Sequence, residues 1–179
     1  SAHSIYLTEG QAVPIETRLI ERMGMAYAKM YVKGPVDEQI VPREWLQTGV
    51  RSTTDTYGLV GSYYGKFDGT NTFSAANAQI MKRTDPALNF DWKLGSPMPN
   101  GPDGFLVRWT GYITVPSAGA YTLGVKSDDG ARIKLGSGNN MVYDQWVDRG
   151  ATESYGTAYT FAANTPIPIT VEYYDGAGA

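Results

Sequence analysis

The strongest constraint on the fold is a pair of strand patterns joined by a tight turn. Residues 105–115 are mostly apolar, aromatic and β-branched, a composition typical of a β-strand. Residues 116–119, Pro-Ser-Ala-Gly, predict a hairpin connection into the next strand pattern, residues 119–125. Because long helical periodicity is absent along the chain, the sequence predicts an all-β fold, an antiparallel sandwich or barrel.

Other segments follow the same pattern. Residues 26–33 alternate with period two, and Gly34 and Pro35 end that strand. A polar loop is expected over residues 68–79, with one helical turn within residues 74–80. The remaining predicted strands are residues 58–65, 131–135, 141–146, 158–161 and 167–174. The 21 glycines, 13 tyrosines and 10 prolines fit many short strands joined by tight turns.

Composition excludes several classes of function. The 179 residues carry a net charge of −3, so there is no basic surface for nucleic acid. No apolar run approaches the roughly 20 residues of a membrane helix. Cysteine is absent, which excludes disulfides and thiol catalysis. The single histidine, His3, lies at the extreme N-terminus. A Ser-His-Asp triad or a multi-histidine metal site is therefore not expected.

Two adjacent aspartates are the main candidate site. Asp128, Asp129 and Gly130 separate the strand at residues 119–125 from the strand at residues 131–135. Neighbouring side chains of a strand point to opposite faces, so the two carboxylates converge only if the backbone bends between them. Converging carboxylates suit Ca²⁺, which takes six to eight oxygen ligands. The alternative is a polar turn, since Asp-Asp-Gly is also a common turn composition.

The two ends of the chain resemble each other. Residues 5–25 and 159–179 align at an offset of 154 residues, with Val13-Pro14-Ile15 matching Ile167-Pro168-Ile169. We interpret this as a tandem array cut out of register. Residues 1–49 would be the C-terminal strands of one repeat, residues 50–57 a linker, and residues 58–179 a second repeat without its own tail. The first segment would then complete the second repeat by folding back, as in a circular permutant, or complete a neighbouring copy by strand exchange.

From residue 58 onward the sequence resembles the PA14 domain family. The motifs that carry the resemblance are Gly58-Leu59-x-Gly61-x-Tyr63-Tyr64, Asp85-Pro86-x-x-Asn89-Phe90-x-Trp92, Val107-Arg108-Trp109-x-Gly111-Tyr112, Gly119-x-Tyr121-Thr122, Ser127-Asp128-Asp129-Gly130-x-Arg132, Asp144-x-Trp146 and Pro168-Ile169-x-Val171-Glu172-Tyr173-Tyr174. Residues 5–46 resemble the C-terminal portion of the same family. Together these segments cover nearly the whole chain, and the ordered set carries the assignment.

The resemblance implies a PA14-type β-sandwich with a calcium site. In sugar-binding members the paired aspartates are joined by a cis peptide and hold a calcium ion, which coordinates vicinal sugar hydroxyls. Asp128 and Asp129 fall on that pair, and Gly130 would relieve a sharp turn. The further ligands of the family come from a late loop, which here aligns with residues 174–179 and offers Asp175. This loop lacks the asparagine of the family pattern, which puts the completeness of the site in question.

Other side chains are weaker candidates for ligand binding. Trp146 is the tryptophan best suited to stack on a sugar, whereas Trp92 and Trp109 are expected in the core. Asn139 and Asn140 lie on a glycine-rich turn and either bind a sugar or simply form the turn. Asp144 and Asp148 flank Trp146 and are expected to cap turns rather than bind metal. The loops expected to set specificity are residues 68–79, 95–104 and 136–150.

The function expected from these features is calcium-dependent carbohydrate binding by an extracellular or cell-surface multidomain protein. The alternative is a structural or assembly module in which calcium only stabilises a loop. Catalysis is not expected, because a glycosidase needs two carboxyl groups about 5–10 Å apart across a cleft. Two adjacent aspartates on one loop do not provide that separation.

Overall fold

The computed structural model describes residues 26–49, 57–66, 68–93, 95–98, 101–102 and 104–176. The described part is built from antiparallel strands and one short 3-10 helix, Arg43–Trp45. The strands are β1 (Ala26–Lys33), β2 (Gln39–Ile40), β3 (Leu46–Gln47), β4 (Leu59–Gly65), β5 (Gln79–Asp85), β6 (Asn89–Lys93), β7 (Phe105–Ile113), β8 (Gly119–Asp128), β9 (Ala131–Leu135), β10 (Asn140–Gln145), β11 (Thr152–Phe161) and β12 (Ile167–Asp175).

The strands form two sheets of a β-sandwich. The 5-stranded sheet has the order β11-β8-β1-β2, and β6 also pairs with β1. The 7-stranded sheet has the order β10-β9-β12-β7-β4-β5, and β3 also pairs with β7. The all-β prediction is therefore confirmed, and the architecture is a sandwich. Side chains of β9 alternate between buried and half-buried positions along the strand, as expected for a sheet with one face on the core.

The N-terminal segment completes the sandwich from within the same chain. Strand β1 pairs with β8 from Tyr27 opposite Asp128 to Lys33 opposite Thr122. Strand β3 pairs with β7 through Leu46 and Ile113. The fold-back prediction is confirmed, because β1 covers the edge that β8 would otherwise expose. Strand β12 lies between β7 and β9 in the other sheet.

The core contains the large aromatic residues of the two sheets. Trp109 is fully buried and stacks on Phe90 with ring centroids 5.8 Å apart. Trp92 packs against Tyr173, with ring centroids 5.7 Å apart. The indole N–H of Trp109 donates to Asp85 Oδ2 at 2.7 Å. Trp109 is therefore a core residue, as predicted. Trp92 is half-buried and packs against the core.

A buried carboxylate joins three strands on the outer face of the 7-stranded sheet. Glu172 is 1% exposed and accepts hydrogen bonds from Arg108 Nε at 2.6 Å, Arg132 Nε at 2.5 Å and Lys134 Nζ at 3.2 Å. Burial alone would raise the pKa of Glu172, but the bonds and charges of Arg108 and Arg132 outweigh burial and hold the pKa below its usual value. Arg108 and Arg132 are thus structural partners of a carboxylate.

The loop before β5 differs from prediction. The helical turn expected within residues 74–80 is wrong, since these residues form bends that lead into β5. The buried Asn77 explains this, because its Nδ2 donates to Asp68 Oδ1 at 2.7 Å and to the carbonyls of Thr70 and Thr72 at 3.2 and 2.9 Å. These side-chain bonds replace the backbone bonds of a helix. Hydrogen bonds from the side chain and backbone of Thr70 lower the pKa of exposed Asp68 to about 2.

Some predictions fall on residues outside the described part. These are the first copy of the repeat, His3 and the linker core at residues 50–56. The division into units at residues 49 and 58 stays a prediction. Among the described residues, no helix has the length and apolar character needed to cross a membrane.

Candidate functional site

The aspartate pair lies at one end of the sandwich, where β8 turns into β9. Asp128 is the last residue of β8, and Ala131 is the first residue of β9. The peptide bond between Asp128 and Asp129 is cis, as the family resemblance implied. Both aspartates are half-buried. The pair thus lies in a turn that crosses from one sheet to the other, since β8 belongs to the 5-stranded sheet and β9 to the 7-stranded sheet.

Backbone N–H groups from two other connections hold the two carboxylates. Asp129 Oδ1 accepts from the N–H of Arg149 at 2.8 Å, and Asp129 Oδ2 accepts from the N–H of Gly176 at 2.7 Å. Asp128 Oδ2 accepts from the N–H of Ala151 at 3.0 Å. The carboxylates therefore tie the β8–β9 turn to the β10–β11 loop and to the residue after β12. Charge-assisted bonds of this kind are about twice as strong as neutral ones.

The side chain of Arg149 also holds the β10–β11 loop in place through hydrogen bonds. Its guanidinium donates to Ser127 Oγ at 2.8 Å, to Tyr143 Oη at 2.7 Å and to Ser154 Oγ at 3.2 Å. Its Nε lies 3.4 Å from the carbonyl oxygen of Asp129, which also accepts from Ser127 Oγ at 2.8 Å. One side chain thus connects the aspartate turn with β10 and β11.

The glycine after the pair is required by close packing. A Cβ atom at Gly130 would lie 2.1 Å from Cε1 of Tyr174. The backbone of the two residues is also joined, since Tyr174 N donates to the Gly130 carbonyl at 2.9 Å. We expected Gly130 to relieve a sharp turn, but the structure gives a different reason, which is the approach of the Tyr174 ring.

The hydroxyl of Tyr173 brings the three predicted metal ligands into one electrostatic environment. It donates to the Asp128 carbonyl. Burial raises the pKa of Tyr173 well above its usual value, and the charges of Asp175, Asp129 and Asp128 raise it further. Burial and the charge of Asp129 likewise raise the pKa of Asp128, which the Ala151 N–H and Arg149 partly offset. This negative charge favours a bound cation.

Trp146 forms an aromatic wall beside the pair. Its ring packs against Tyr174 with centroids 4.8 Å apart and against Phe73 at 6.2 Å. The guanidinium carbon of Arg132 lies 4.1 Å from the Trp146 ring centroid, a cation–π contact. The indole N–H donates to the carbonyl of Asn71 at 3.1 Å. Trp146 is therefore held in one orientation, close to the strand end that carries the aspartates.

Asp148 and Asn71 belong to this wall, although no local sequence pattern marks Asn71. Asp148 Oδ1 accepts from Tyr174 Oη at 2.7 Å and from Asn71 Nδ2 at 3.3 Å. Asp148 thus has a structural role, as favoured from the sequence. The side-chain oxygen of Asn71 is buried and makes no hydrogen bond within the described part of the chain. Asn71 therefore contributes a buried oxygen acceptor next to Trp146.

Asn139 and Asn140 lie elsewhere. They follow the far end of β9, where Asn140 pairs with Leu135, whereas Gln145 pairs with Ala131 near the aspartates. The length of β9 separates them from the pair by about 13 Å. Asn139 has a φ of 52°, and its N–H donates to the Gly136 carbonyl at 3.1 Å. The observed role is the turn, and a role in sugar binding stays a prediction.

The candidate donor atoms around the pair are of the kind that calcium binds, but few of them belong to side chains. Every candidate donor is an oxygen, and the three predicted ligands Asp128, Asp129 and Asp175 are carboxylates, which is the chemistry calcium prefers. Asp128 and Asp129 would be the protein's anionic ligands. Over the described ranges, however, no group of three acidic, histidine or cysteine side chains is placed to hold a metal ion. Asp175 therefore does not extend the pair into such a group, and its role as a ligand stays a prediction.

Comparison with known proteins identifies the family. Residues 55–179 match the PA14 domain, so the chain belongs to the PA14 domain family. The anti-sigma-I factor RsgI3 of Acetivibrio thermocellus is 34% identical over 126 residues, which cover 70% of this chain and 18% of that protein. This chain therefore corresponds to less than a fifth of that relative's length.

Two solved structures are also similar. An anti-sigma factor domain-containing protein has a TM-score of 0.58 and 32% identity, covering 66% of this chain and 38% of that chain. An anti-sigma factor domain-containing protein from Clostridium clariflavum has a TM-score of 0.56 and 27% identity, with the same coverage of 66% and 38%. The family predicted from the ordered motifs is confirmed.

Proposed function

We propose that this PA14 domain is a calcium-dependent carbohydrate-binding module of a larger protein. The observation that supports the proposal best is the pair of adjacent carboxylates, Asp128 and Asp129, which three backbone N–H groups hold at the open end of the sandwich. Both side chains remain half-buried rather than sealed in the core. Fixed, partly exposed oxygen donors of one charge suit a hard cation that keeps open positions for a ligand.

Asp128 and Asp129 would hold the ion, and Asp175 and nearby carbonyls would contribute further oxygens. Calcium, when bound, would coordinate sugar hydroxyls at its remaining positions. The chain's own part is to orient the carboxylates through the N–H groups of Arg149, Ala151 and Gly176. The wall formed by Trp146 would offer an apolar boundary to the sugar ring.

We further propose that the domain is not an enzyme and acts outside the cell or at its surface. Its aspartates are adjacent, and backbone N–H groups already hold both of them, which does not resemble a separated acid and base. Relatives that carry the name anti-sigma factor suggest that the host is a regulatory protein. The domain would then supply the part that senses a polysaccharide.

The second candidate is a structural module in which calcium stabilises the loops without sugar binding. The dense bonding around Asp129 favours this alternative, because each of its carboxylate oxygens already fastens one connection. It predicts a calcium-dependent rise in melting temperature and no carbohydrate ligand.

A glycan array tests the two candidates directly. The chain is applied in calcium, in EDTA, and as the double variant Asp128→Asn/Asp129→Asn. Asp37→Asn is the control, since Asp37 is an exposed carboxylate in the β1–β2 connection. Binding that appears in calcium for the wild type and Asp37→Asn, and is lost in EDTA and in the double variant, supports the module. Failure to bind any glycan, together with calcium-dependent stability, supports the structural alternative.

A further inference from the structure

A second pocket lies at the other end of the sandwich. Its volume is about 250 Å³, and its walls are the 3-10 helix with β3, Tyr57 ahead of β4, residues 114–116 after β7, and the β11–β12 connection. Strand β7 has Phe105 opposite Asp175 at one end and Ile113 opposite Ile167 at the other. The 9 residues of β7 thus separate this pocket from the aspartate pair by roughly 27 Å.

Backbone bonds hold the pocket walls in place. The N–H of Thr114 donates to the Trp45 carbonyl at 2.7 Å, and the N–H of Asn164 donates to the Val115 carbonyl at 2.8 Å. Gln47 and Tyr57 form a backbone bridge. The pocket therefore exists only because the N-terminal segment has folded onto β7, and its shape is set by the fold.

Two buried oxygens of this pocket have unmet hydrogen-bonding capacity. Gln47 is 6% exposed, and its Oε1 makes no hydrogen bond within the described residues. The same is true of Thr114 Oγ1, and both residues line the pocket. A buried polar atom without a partner is unfavourable. Both oxygens are closed to solvent, so a ligand hydroxyl reaches them only when the Gln47 and Thr114 side chains turn toward the pocket, and it would then gain two partners. Gln47 Oε1 would accept from it, and Thr114 would either donate or accept.

The other residues that line the pocket indicate which class of ligand it would bind. Tyr57 is 50% exposed and also lines the pocket, and its ring suits the apolar face of a sugar ring. Among the described lining residues the charged side chain is the carboxylate of Glu44, and no lysine or arginine is present. This disfavours an anionic ligand. The volume lies somewhat below the range of about 300–1,000 Å³ typical of drug-sized ligands, so the pocket suits a single ring.

We propose that this pocket is a second binding site, independent of metal, for one neutral sugar ring. Gln47 Oε1 and Thr114 Oγ1 bind ring hydroxyls, and Tyr57 stacks on the ring. The inference does not depend on the aspartate pair, since no carboxylate of that pair lines the pocket.

Nuclear magnetic resonance of the full ¹⁵N-labelled chain tests the site. Glucose, galactose, xylose and arabinose are added separately in EDTA, and the signals of the Gln47 side-chain amide and the Thr114 backbone are followed. We expect a saturable shift with at least one of the four sugars, and the same shift in Asp128→Asn/Asp129→Asn. Galacturonate is the matched anionic ligand, and it should bind more weakly than galactose because of Glu44.

Two variants assign the contacts. Tyr57→Ala removes an exposed ring and leaves the core intact, and Thr114→Val removes one hydroxyl at nearly constant shape. Each should weaken binding about tenfold, whereas Tyr155→Phe, at a half-buried tyrosine that does not line the pocket, should have no effect. The proposal is overturned if none of the sugars gives a saturable shift, or if Tyr57→Ala leaves the affinity unchanged. It is also overturned if the pocket signals depend on protein concentration alone, since the occupant would then be a second copy.

Discussion

The ring of Tyr174 covers Gly130 so closely that a Cβ atom at this glycine would lie 2.1 Å from Tyr174 Cε1. The contact joins the turn after β8 to the end of β12. It also sets the distance between the aspartate pair and the Trp146 wall, because Tyr174 touches both. The geometry of the candidate site therefore depends on a residue that carries no side chain.

Gly130→Ala should lower stability and disturb the site. The added methyl group must displace the Tyr174 ring or the turn, and overpacking of this kind costs about 1–3 kcal/mol. A shift of roughly 2–4 °C in melting temperature per kcal/mol is expected for a chain of this size. Gly138→Ala is the matched control, since a Cβ atom there meets nothing within 4 Å. Equal melting temperatures for the two variants would contradict the packing account.

Arg149→Lys should loosen the β10–β11 loop although it keeps the charge. Lysine cannot reproduce the fork that reaches Ser127, Tyr143 and Ser154. We expect a loss of about 1–3 kcal/mol and faster amide hydrogen exchange at Ala151, whose N–H bonds Asp128. Arg43→Lys, at an exposed position of the 3-10 helix, is the control. Unchanged exchange at Ala151 in Arg149→Lys would mean that the guanidinium does not position the loop.

The Glu172 network should make stability depend on pH in the acidic range. The folded-state pKa of Glu172 is lowered, so its stabilising contribution is present above the unfolded pKa and is lost as pH falls through the folded value. Glu172→Gln should therefore lower the free energy of unfolding at neutral pH by about 1.5–3 kcal/mol.

Denaturant unfolding at several pH values measures this difference. The difference in the free energy of unfolding between the wild type and Glu172→Gln should become smaller as the pH falls below the usual pKa range of a glutamate. Glu44→Gln, an exposed glutamate of the 3-10 helix, should show little difference from the wild type at any pH. A gap for Glu172→Gln that stays constant down to low pH would contradict the assignment.

Local patterns predicted the strands that alternate. Strand β1 was expected at residues 26–33 and is found there, and the strongest strand pattern, residues 105–115, contains β7. Strand β5 was missed because most of its residues are exposed, which leaves no alternation to detect. The segment predicted as a helical turn does not form a helix, because the buried side chain of Asn77 bonds the surrounding loop. Composition does not reveal this contact.

The candidate site could be predicted only in part, because several of its contacts join residues that are far apart in the sequence. Asp128 and Asp129 are adjacent in sequence, so the motif identified them. Arg149, Tyr173 and Asn71 reach the site from other connections, and no local spacing marks them. Asn139 and Asn140 looked close because they follow β9 in sequence, but the strand carries them away from the pair.

Calcium titration by calorimetry is the most direct test of the central proposal. The wild type should give a saturable heat with a dissociation constant between about 10⁻⁶ and 10⁻³ M, and Asp128→Asn/Asp129→Asn should give none, while Asp37→Asn behaves like the wild type. No calcium binding by the wild type, or equal binding by the wild type and the double variant, would contradict the assignment of the aspartate pair as the metal site.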